Sequence, residues 1–322
     1  MSSPTSGEGA AAALRAPLQA WLRRQSGEAV EVAELRRIAT GNSRAMWYLA
    51  FTDGRRFVAR VEQGGVFGTS TAEEYRFMSA AARLGCPVAP VRWMEPTGDV
   101  LGHPFFVMDF LDGAATGRDD RTMSPELADD FVRRLHELHT TDWSRELQSD
   151  LTAADATHAA VDHWLGVYRD ATPLPIPLLE EGAAWLHRHA PAAQRVGIVH
   201  GDPGPGNFVH DGIRVTAFTD WEFTHLGDPM EDWAYLVSMR GNRTMGKDDW
   251  LALFQRVAGV TVTAADLHYW MVFNYFKGAC ANITCLRAFR TANPAPNMAL
   301  IGTALHQTFV RQCARLIEEV PR

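Results

Sequence analysis

Lysine is almost absent from this chain of 322 residues. Of its 31 basic residues 29 are arginine, and the two lysines are Lys247 and Lys277. The first 240 or so residues therefore offer no lysine for a Schiff base, and none for the phosphate-binding pattern G-x-x-x-x-G-K-[ST]. Mechanisms that need a lysine in the N-terminal half are excluded.

Cysteine and long apolar runs are also scarce. The four cysteines show neither a C-x-x-C pair nor a histidine at ligand spacing, so no structural zinc site is predicted. Residues 1–9 lack the basic region and apolar core of a signal peptide. No run approaches the roughly 18 apolar residues of a membrane span. We expect a cytoplasmic protein with free thiols and no membrane partner.

The negative charge is confined to one part of the chain. The net charge is −7, yet residues 1–112 hold 12 basic and 12 acidic residues, so the whole excess lies in residues 113–322. An acidic chain without a basic run argues against nucleic acid as a partner. The length suggests about two domains of roughly 150 residues each. The acidic part either favours a cationic ligand or simply keeps the protein soluble.

Short apolar runs separated by turn signals fill the first third of the sequence. The spacing of Leu14, Leu18 and Leu22 predicts a helix over residues 11–25, and a second helix is predicted over Thr71–Leu84. Strands are predicted at Val32–Ile38, Ala45–Phe51, Phe57–Val61, Val88–Trp93 and Pro104–Phe110. The order β-β-β-α-β-β indicates a small antiparallel sheet with one helix.

Helices dominate the remainder. They are predicted at Pro125–His139, Ala156–Tyr168 and Ile176–His189, and from Pro229 to the end. A short strand at Val196–Val199 and a hairpin made by Phe208–His210 and Val215–Phe218 interrupt them. We therefore expect an α+β protein with a tail and helix at 1–29, a sheet lobe at 30–112 and a helical lobe at 113–322.

The densest group of polar residues surrounds the predicted hairpin. Asp202 and Asn207 are five residues apart on a loop rich in Gly and Pro, and Asp220 follows Asp202 by 18 residues. Because a hairpin returns the chain to its starting point, the three side chains can converge. Two carboxylates and an amide oxygen suit Mg²⁺ that bridges phosphate oxygens.

Three motifs in this region resemble the aminoglycoside phosphotransferase (phosphotransferase enzyme) family, which has a protein-kinase-like fold. They are H-G-D-x-x-x-x-N at His200–Asn207, T-D-W-E at Thr219–Glu222 and G-D-P-x-x-D at Gly227–Asp232. The resemblance covers roughly residues 30–240. It implies a bilobal fold with a nucleotide-binding N-lobe, and a mainly helical C-lobe with the catalytic loop and acceptor site. The stretch around Arg60 is similar to kinase-like domains fused to acyl-CoA dehydrogenases.

The resemblance implies an ATP-dependent kinase that uses Mg²⁺, with GTP as an alternative donor. Asp202 would be the catalytic residue that orients the acceptor hydroxyl, and Asn207 and Asp220 would hold Mg²⁺. An ordinary Asp is a weak base for an alcohol, so orientation should matter more than proton abstraction.

The nucleotide-binding residues are also implied by the resemblance. Backbone groups between Met108 and Leu111, including Phe110, would hold the adenine, and Glu74 would pair with a basic residue of the third strand. That residue is Arg60, where kinases usually carry a lysine, and the two are not interchangeable. Gly41, Asn42 and Ser43 would cover the phosphates, or they are simply turn formers.

Four further residues are expected to support the site. His200 would orient backbone groups, and Asp232 would brace the catalytic loop. Asp228 is expected to cap a helix in a capping box with Glu231. Glu222 would contact either the substrate or the metal-binding residues.

We expect a phosphotransferase that moves the γ-phosphate to a hydroxyl of a small molecule, either aminoglycoside-like, an amino alcohol or a hydroxyacyl compound. A catalytically weak nucleotide-binding module is the alternative, because Arg60 replaces the lysine. A metallohydrolase is a third reading, but it lacks an H-x-H or H-E-x-x-H pair. It would use His200, Asp202, His210, Asp220 and His225.

Overall fold

The computed structural model describes residues 5–38, 44–63, 66–115, 123–291 and 295–319. The helices are α1 (Thr5–Ser26), α2 (Thr71–Arg83), α3 (Pro125–Thr140), α4 (Ala156–Ala171), α5 (Pro177–Arg188), α6 (Met230–Tyr235), α7 (Lys247–Ala258), α8 (Ala264–Thr291), α9 (Pro296–Leu300) and α10 (His306–Glu318). The strands are β1 (Val32–Ile38), β2 (Arg44–Phe51), β3 (Arg56–Glu62), β4 (Val91–Glu95), β5 (Phe105–Asp109), β6 (Ala114–Ala115), β7 (Gly197–Val199), β8 (Phe208–His210), β9 (Val215–Phe218) and β10 (His225–Gly227). None of the helices in these ranges combines the length and apolar character that a bilayer crossing requires.

The sequence predicts a small antiparallel sheet in the N-lobe, and the structure has one with the strand order β1-β2-β3-β5-β4. Five consecutive residues of β3 are buried, because α1 covers one face of the sheet and α2 with the C-lobe covers the other. Trp21 of α1 packs edge-on against Phe105 of β5, with ring centroids 4.8 Å apart. Ser70 caps α2 by accepting a hydrogen bond from Ala72 N at 3.2 Å.

One predicted strand is misplaced. The prediction is Val88–Trp93, but β4 begins at Val91, and the residues before it pair with the C-lobe instead. Phe218 N donates to Pro87 O at 2.8 Å, and Val88 forms an isolated bridge with Phe218. A proline has no N–H to contribute to a sheet ladder. The contacts of Pro87 and Val88 with Phe218 join the N-lobe to the C-lobe.

The C-lobe packs its helices around α8, whose buried side chains include Trp270, Phe273 and Phe276. The predicted helices of this lobe and the β8–β9 hairpin are confirmed within a few residues. The helical stretch after Pro229 is interrupted, however, by a π-helical turn at Leu236–Arg240 and by Gly259, which ends α7 at φ 66°. The expected α+β architecture, with a sheet lobe followed by a helical lobe, is confirmed.

Candidate active site

A cavity of about 400 Å³ lies between the two lobes. The N-lobe contributes Arg60 of β3 and Glu74 of α2, and the C-lobe contributes Asn207 and Asp220. Its remaining wall is mostly apolar and includes Met108. Residues more than 140 positions apart in the sequence thus converge on one cleft.

Asp232 holds the loop that carries Asp202. Its Oδ2 accepts a hydrogen bond from His200 N and its Oδ1 accepts one from Gly201 N, both at 2.8 Å. His139 Nε2 lies 2.8 Å from the same Oδ2. Burial alone would raise the pKa of Asp232, but these partners outweigh it and the pKa is lowered. The ionised carboxylate fixes the start of the loop, as the resemblance implies.

His200 connects the loop to the end of β9. Its Nε2 lies 3.0 Å from Thr219 O, and its Nδ1 accepts a hydrogen bond from Asp202 N at 3.3 Å. A carbonyl oxygen can only accept a hydrogen bond, so His200 Nε2 carries a proton. Nδ1 accepts a hydrogen bond and carries none, so the ring is neutral. Burial lowers the pKa of His200, which agrees with this tautomer. Both ring nitrogens of His200 therefore bind backbone groups, so His200 orients the loop and does not act as a base.

Asn207 is oriented by Asp202. Its Nδ2 donates to the carbonyl oxygen and to Oδ2 of Asp202, both at 2.8 Å. The amide oxygen is then the atom of Asn207 left for a metal ion. Asp220 adopts the left-handed conformation at φ 62° and ψ 59°, which is rare for a residue other than glycine and typical of functional sites. Its side chain is 37% exposed.

Arg60 joins the two lobes. Its Nε lies 2.6 Å from Glu74 Oε1, and its Nη2 donates to Asp220 Oδ1 at 2.7 Å. Arg44 Nε lies 3.4 Å from the other oxygen of Glu74. Burial alone would raise the pKa of Asp220, but Arg60 outweighs burial and the pKa is lowered. Asp220 is thus available as a charged oxygen ligand, which together with the Asn207 amide suits Mg²⁺.

Arg240 is the site residue that sequence reasoning missed. Its Nε donates to Asp202 Oδ1 at 2.8 Å, its Nη2 donates to Oδ2, and its Nη1 donates to Pro205 O at 3.2 Å. Arg240 is the last residue of the π-helical turn after α6. Nothing in the motif spacing marks it, because a π-helical turn shifts the direction of every later side chain.

Glu222 lines a second cavity of about 420 Å³ with Trp164 and Phe223. Burial, followed by the charge of Asp220, raises the pKa of Glu222 to about 8. Its Oε2 has no hydrogen-bond partner within the described ranges. Both roles predicted for Glu222, with substrate or with the metal residues, remain predictions.

The expected capping box at Asp228 is half present. Asp228 Oδ1 accepts a hydrogen bond from Met230 N at 2.9 Å, which caps α6. The second bond of a capping box, from Asp228 N to the Glu231 carboxylate, is not formed. Glu231 Oε1 accepts a hydrogen bond from Lys277 Nζ at 2.6 Å instead. Lys277 also donates to Gly201 O at 2.6 Å. The sequence analysis gave this buried lysine no role. In the structure it holds the loop that carries Asp202 through the carbonyl of Gly201.

The residues predicted to bind the nucleotide have different outcomes in the structure. Gly41, Asn42 and Ser43 lie outside the described residues. Met108 lines the cleft, but Phe110 does not. The Phe110 ring packs edge-on against Tyr48 at 5.2 Å, and its N–H donates to Arg56 O at 3.1 Å. The Phe110 N–H is thus used in sheet pairing, and the expectation that backbone groups between Met108 and Leu111 hold the adenine stays a prediction.

The metallohydrolase reading finds no support in the geometry. His210 Nδ1 accepts from Gly212 N, and His225 Nε2 lies 3.2 Å from Glu231 Oε2. Across the part of the chain that the structure describes, no three His, Cys, Asp or Glu side chains form a metal-binding group.

Comparison with known proteins agrees with this geometry. A model of the phosphotransferase enzyme family matches residues 34–267, more than half of the chain. Acyl-CoA dehydrogenase family member 10 of Mus musculus is 29% identical over 213 residues, a match that covers 63% of this chain and 20% of that protein. The chain thus spans about a fifth of the length of this curated relative.

Two solved structures have the same fold. A choline/ethanolamine kinase family protein from Mesorhizobium loti superposes with a TM-score of 0.64 at 17% identity, covering 97% of this chain and 95% of that chain. The aminoglycoside phosphotransferase APH(4)-Ia, in ternary complex with AMP-PNP and hygromycin B, gives a TM-score of 0.62 at 16% identity, covering 95% and 100%.

Proposed function

The chain belongs to the phosphotransferase enzyme family, and from this premise we propose that it transfers the γ-phosphoryl group of ATP to a hydroxyl of a small molecule. The observation that carries the proposal is that Asn207 and Asp220 line one interlobe cleft with the Arg60–Glu74 pair, and that Asp202 is hydrogen-bonded to Asn207. The prediction of a phosphotransferase enzyme is confirmed at the level of the family.

Asp202 is proposed to orient the acceptor. Phosphoryl transfer passes through a loose transition state, so catalysis depends mainly on positioning and on charge stabilisation. Asp202 accepts the hydrogen bond of the attacking hydroxyl, and Asn207 and Arg240 keep its carboxylate in a fixed orientation. The hydroxyl proton is transferred late, because an aspartate is a poor base for an alcohol.

Asn207 and Asp220 are proposed to hold Mg²⁺, which when bound would neutralise charge on the β- and γ-phosphates. Arg60 is proposed to contact the phosphates from the N-lobe side, because a permanent cation with several N–H donors suits phosphate oxygens. The apolar wall around Met78, Met108 and Phe208 provides room for the base of ATP or GTP.

The acceptor is proposed to be a small hydroxyl compound that is aminoglycoside-like, an amino alcohol or a hydroxyacyl compound. The fold-level neighbours include a choline/ethanolamine kinase family protein and an enzyme in complex with hygromycin B. Because this chain matches only 20% of the acyl-CoA dehydrogenase relative, nothing of the dehydrogenase activity itself is carried over.

The test is release of ADP from Mg-ATP and of GDP from Mg-GTP over a panel of hydroxyl compounds. We expect at least one acceptor to give ADP or GDP well above the rate in water. The phosphorylated product should be visible by mass spectrometry. Tight nucleotide binding with no turnover on any acceptor would contradict the proposal and support the catalytically weak module.

A further inference from the structure

Gly201, the residue before Asp202, is held on both sides by buried charged groups. Its N–H donates to Asp232 Oδ1 at 2.8 Å, and its carbonyl oxygen accepts a hydrogen bond from Lys277 Nζ at 2.6 Å. The N–H belongs to the peptide unit before Gly201, whereas the carbonyl belongs to the unit that links Gly201 to Asp202. Lys277 therefore fixes the orientation of the peptide that leads into Asp202.

Position 201 requires a glycine. Its φ is +82°, and a Cβ there would lie 2.5 Å from Phe223 O and 2.8 Å from Phe223 Cβ. Because glycine allows many backbone conformations, the Gly201–Asp202 peptide would rotate easily without fixed partners. On its N–H side, Asp202 N donates to His200 Nδ1 at 3.3 Å. The shorter bond from the charged Lys277 is the stronger restraint on this peptide.

The Lys277 ammonium is itself held in one place. The side chain is 5% exposed, and Nζ donates to Glu231 Oε1 at 2.6 Å as well as to Gly201 O. It also lies 5.0 Å from the centroid of the Tyr235 ring and 5.8 Å from that of Phe223, within the range of cation–π attraction. An ammonium that left these partners would stay desolvated, so its position is well defined.

The position of Asp202 depends on the peptide that Lys277 holds. Arg240 and Asn207 bind the carboxylate oxygens of Asp202, and Asn207 also binds its carbonyl oxygen. These bonds restrain the side chain and the peptide after Asp202, but not the peptide before it. If the bond from Lys277 were lost, the buried Gly201 carbonyl would favour rotation toward another donor. Asp202 would move with it, and a shift of about 1 Å at a catalytic group can cost about 10²-fold in rate.

We propose that Lys277 is a positioning residue for phosphoryl transfer, because by orienting the Gly201–Asp202 peptide it holds Asp202 where it can meet the acceptor hydroxyl. The inference rests on the proposed function and adds to it a residue of α8. It concerns kcat and not nucleotide affinity, because Arg60 and Asp220 bind each other on other elements of the cleft. Lys277 thus acts through the loop and not on the nucleotide.

The test compares two variants that lack the donor to Gly201 O. Lys277→Met removes the donor alone. Lys277→Met with Glu231→Gln removes both charges of the buried pair, so it provides the measurements if the single variant does not fold. Tyr269→Phe is the matched control, because Tyr269 Oη also donates from α8 to a buried carbonyl, that of Leu186 in α5, at 3.2 Å. Thermal unfolding identifies the folded variants.

The first measurement is hydrogen exchange of backbone amides by mass spectrometry, and it needs no acceptor. A general loss of stability would accelerate exchange in residues 198–202 and in α3 equally. We expect exchange in residues 198–202, compared with that in α3, to be at least tenfold faster in the Lys277 variants than in the wild type. Tyr269→Phe should show the wild-type ratio. A ratio in the folded Lys277 variants that equals that of the control overturns the inference.

The second measurement is the kinetics with an acceptor from the panel that gives ADP. We expect kcat to be at least tenfold lower in the Lys277 variants than in the wild type, whereas the Kd for Mg-ADP changes less than threefold. Tyr269→Phe should resemble the wild type in both quantities. A kcat equal to that of the control, or an equal loss of kcat and nucleotide affinity, overturns the role of Lys277 in positioning.

The two proposals fail in different ways. If the wild type releases no ADP with any acceptor, the proposed function is wrong, and hydrogen exchange still tests the restraint on the loop. If ADP is released and the folded Lys277 variants turn over as fast as Tyr269→Phe, only the role of Lys277 is wrong.

Discussion

Arg60 Nη2 donates a hydrogen bond to Asp220 Oδ1 at 2.7 Å, across 160 residues of sequence. The bond connects β3 of the N-lobe to the segment after β9 in the C-lobe, and the same guanidinium also reaches Glu74 through Nε at 2.6 Å. One arginine thus makes two separate contacts that a lysine would have to make with a single ammonium group.

Arg60→Lys should weaken nucleotide binding. A lysine cannot span Glu74 and Asp220 at once, so one of these carboxylates loses its contact with residue 60 and the proposed phosphate contact shifts. We expect the KM for ATP to rise about tenfold, which corresponds to about 1.4 kcal/mol. Steady-state kinetics with varied Mg-ATP measures this. Arg56→Lys, at an exposed pair with Asp112, is the control, and an equal KM in both variants would show that Arg60 is not the phosphate contact.

Asp202→Asn should abolish turnover while leaving nucleotide binding nearly intact. The variant keeps the shape of the side chain but loses the charge that orients the acceptor hydroxyl, so we expect kcat to fall by a factor of about 10²–10⁴. The Kd for Mg-ADP should change less than about threefold, a shift below 1 kcal/mol. Equilibrium dialysis measures the affinity. ADP formation at the wild-type rate would contradict the mechanism.

The order of elements and the convergence of Asp202, Asn207 and Asp220 could be predicted because both depend on local signals. Short apolar runs bounded by turn signals marked β2 and β3 within about one residue at each end. The hairpin between Asn207 and Asp220 brought these residues to one side of the cleft, because a tight hairpin fixes where the chain returns. The error at Val88 arose because its partner, Phe218, lies in the other lobe.

The remaining site residues depend on long-range packing that no local pattern contains. Arg240 reaches Asp202 only because a π-helical turn redirects it and Gly204 leaves space. Lys277 lies in the middle of a 28-residue helix that is buried on several sides, so periodicity does not distinguish it from its neighbours. The expected bond from Glu231 back to the start of α6 failed because Lys277 offers the buried carboxylate a stronger partner.

Lys277→Met should destabilise the protein strongly. The Lys277 ammonium is 5% exposed and Glu231 is fully buried, so removing the lysine leaves a buried carboxylate with His225 as its remaining ionic partner. We expect the free energy of unfolding to fall by about 3–5 kcal/mol, measured by urea denaturation. The other lysine provides the control, because Lys247 is exposed at the start of α7 and Lys247→Met should change stability by less than about 0.5 kcal/mol.

The double variant Lys277→Met with Glu231→Gln separates charge from packing. If the loss comes from an uncompensated buried charge, neutralising Glu231 should restore part of it, at least about 1 kcal/mol. Strict additivity of the two single losses would instead mean that the lysine stabilises only through its stem and its bond to Gly201 O.

Asp228 should make the folded state less stable as the pH rises from about 4 to 6. Burial raises its pKa from 3.8 to about 6, so in this window the folded protein binds more protons than the unfolded chain. The stabilisation by the neutral carboxyl is complete below pH 4 and is lost as the pH rises through 6. The shift corresponds to a loss on the order of 2–3 kcal/mol.

Asp228→Asn isolates this contribution, because asparagine can still accept the hydrogen bond from Met230 N and cannot ionise. The difference in unfolding free energy between variant and wild type should be near zero at pH 4 and should favour the variant by about 2 kcal/mol at pH 7.5. Urea titrations at four or more pH values give this difference and cancel the other carboxylates, which titrate equally in both proteins. A difference that does not change with pH would mean that Asp228 is ionised throughout and acts only as a helix cap.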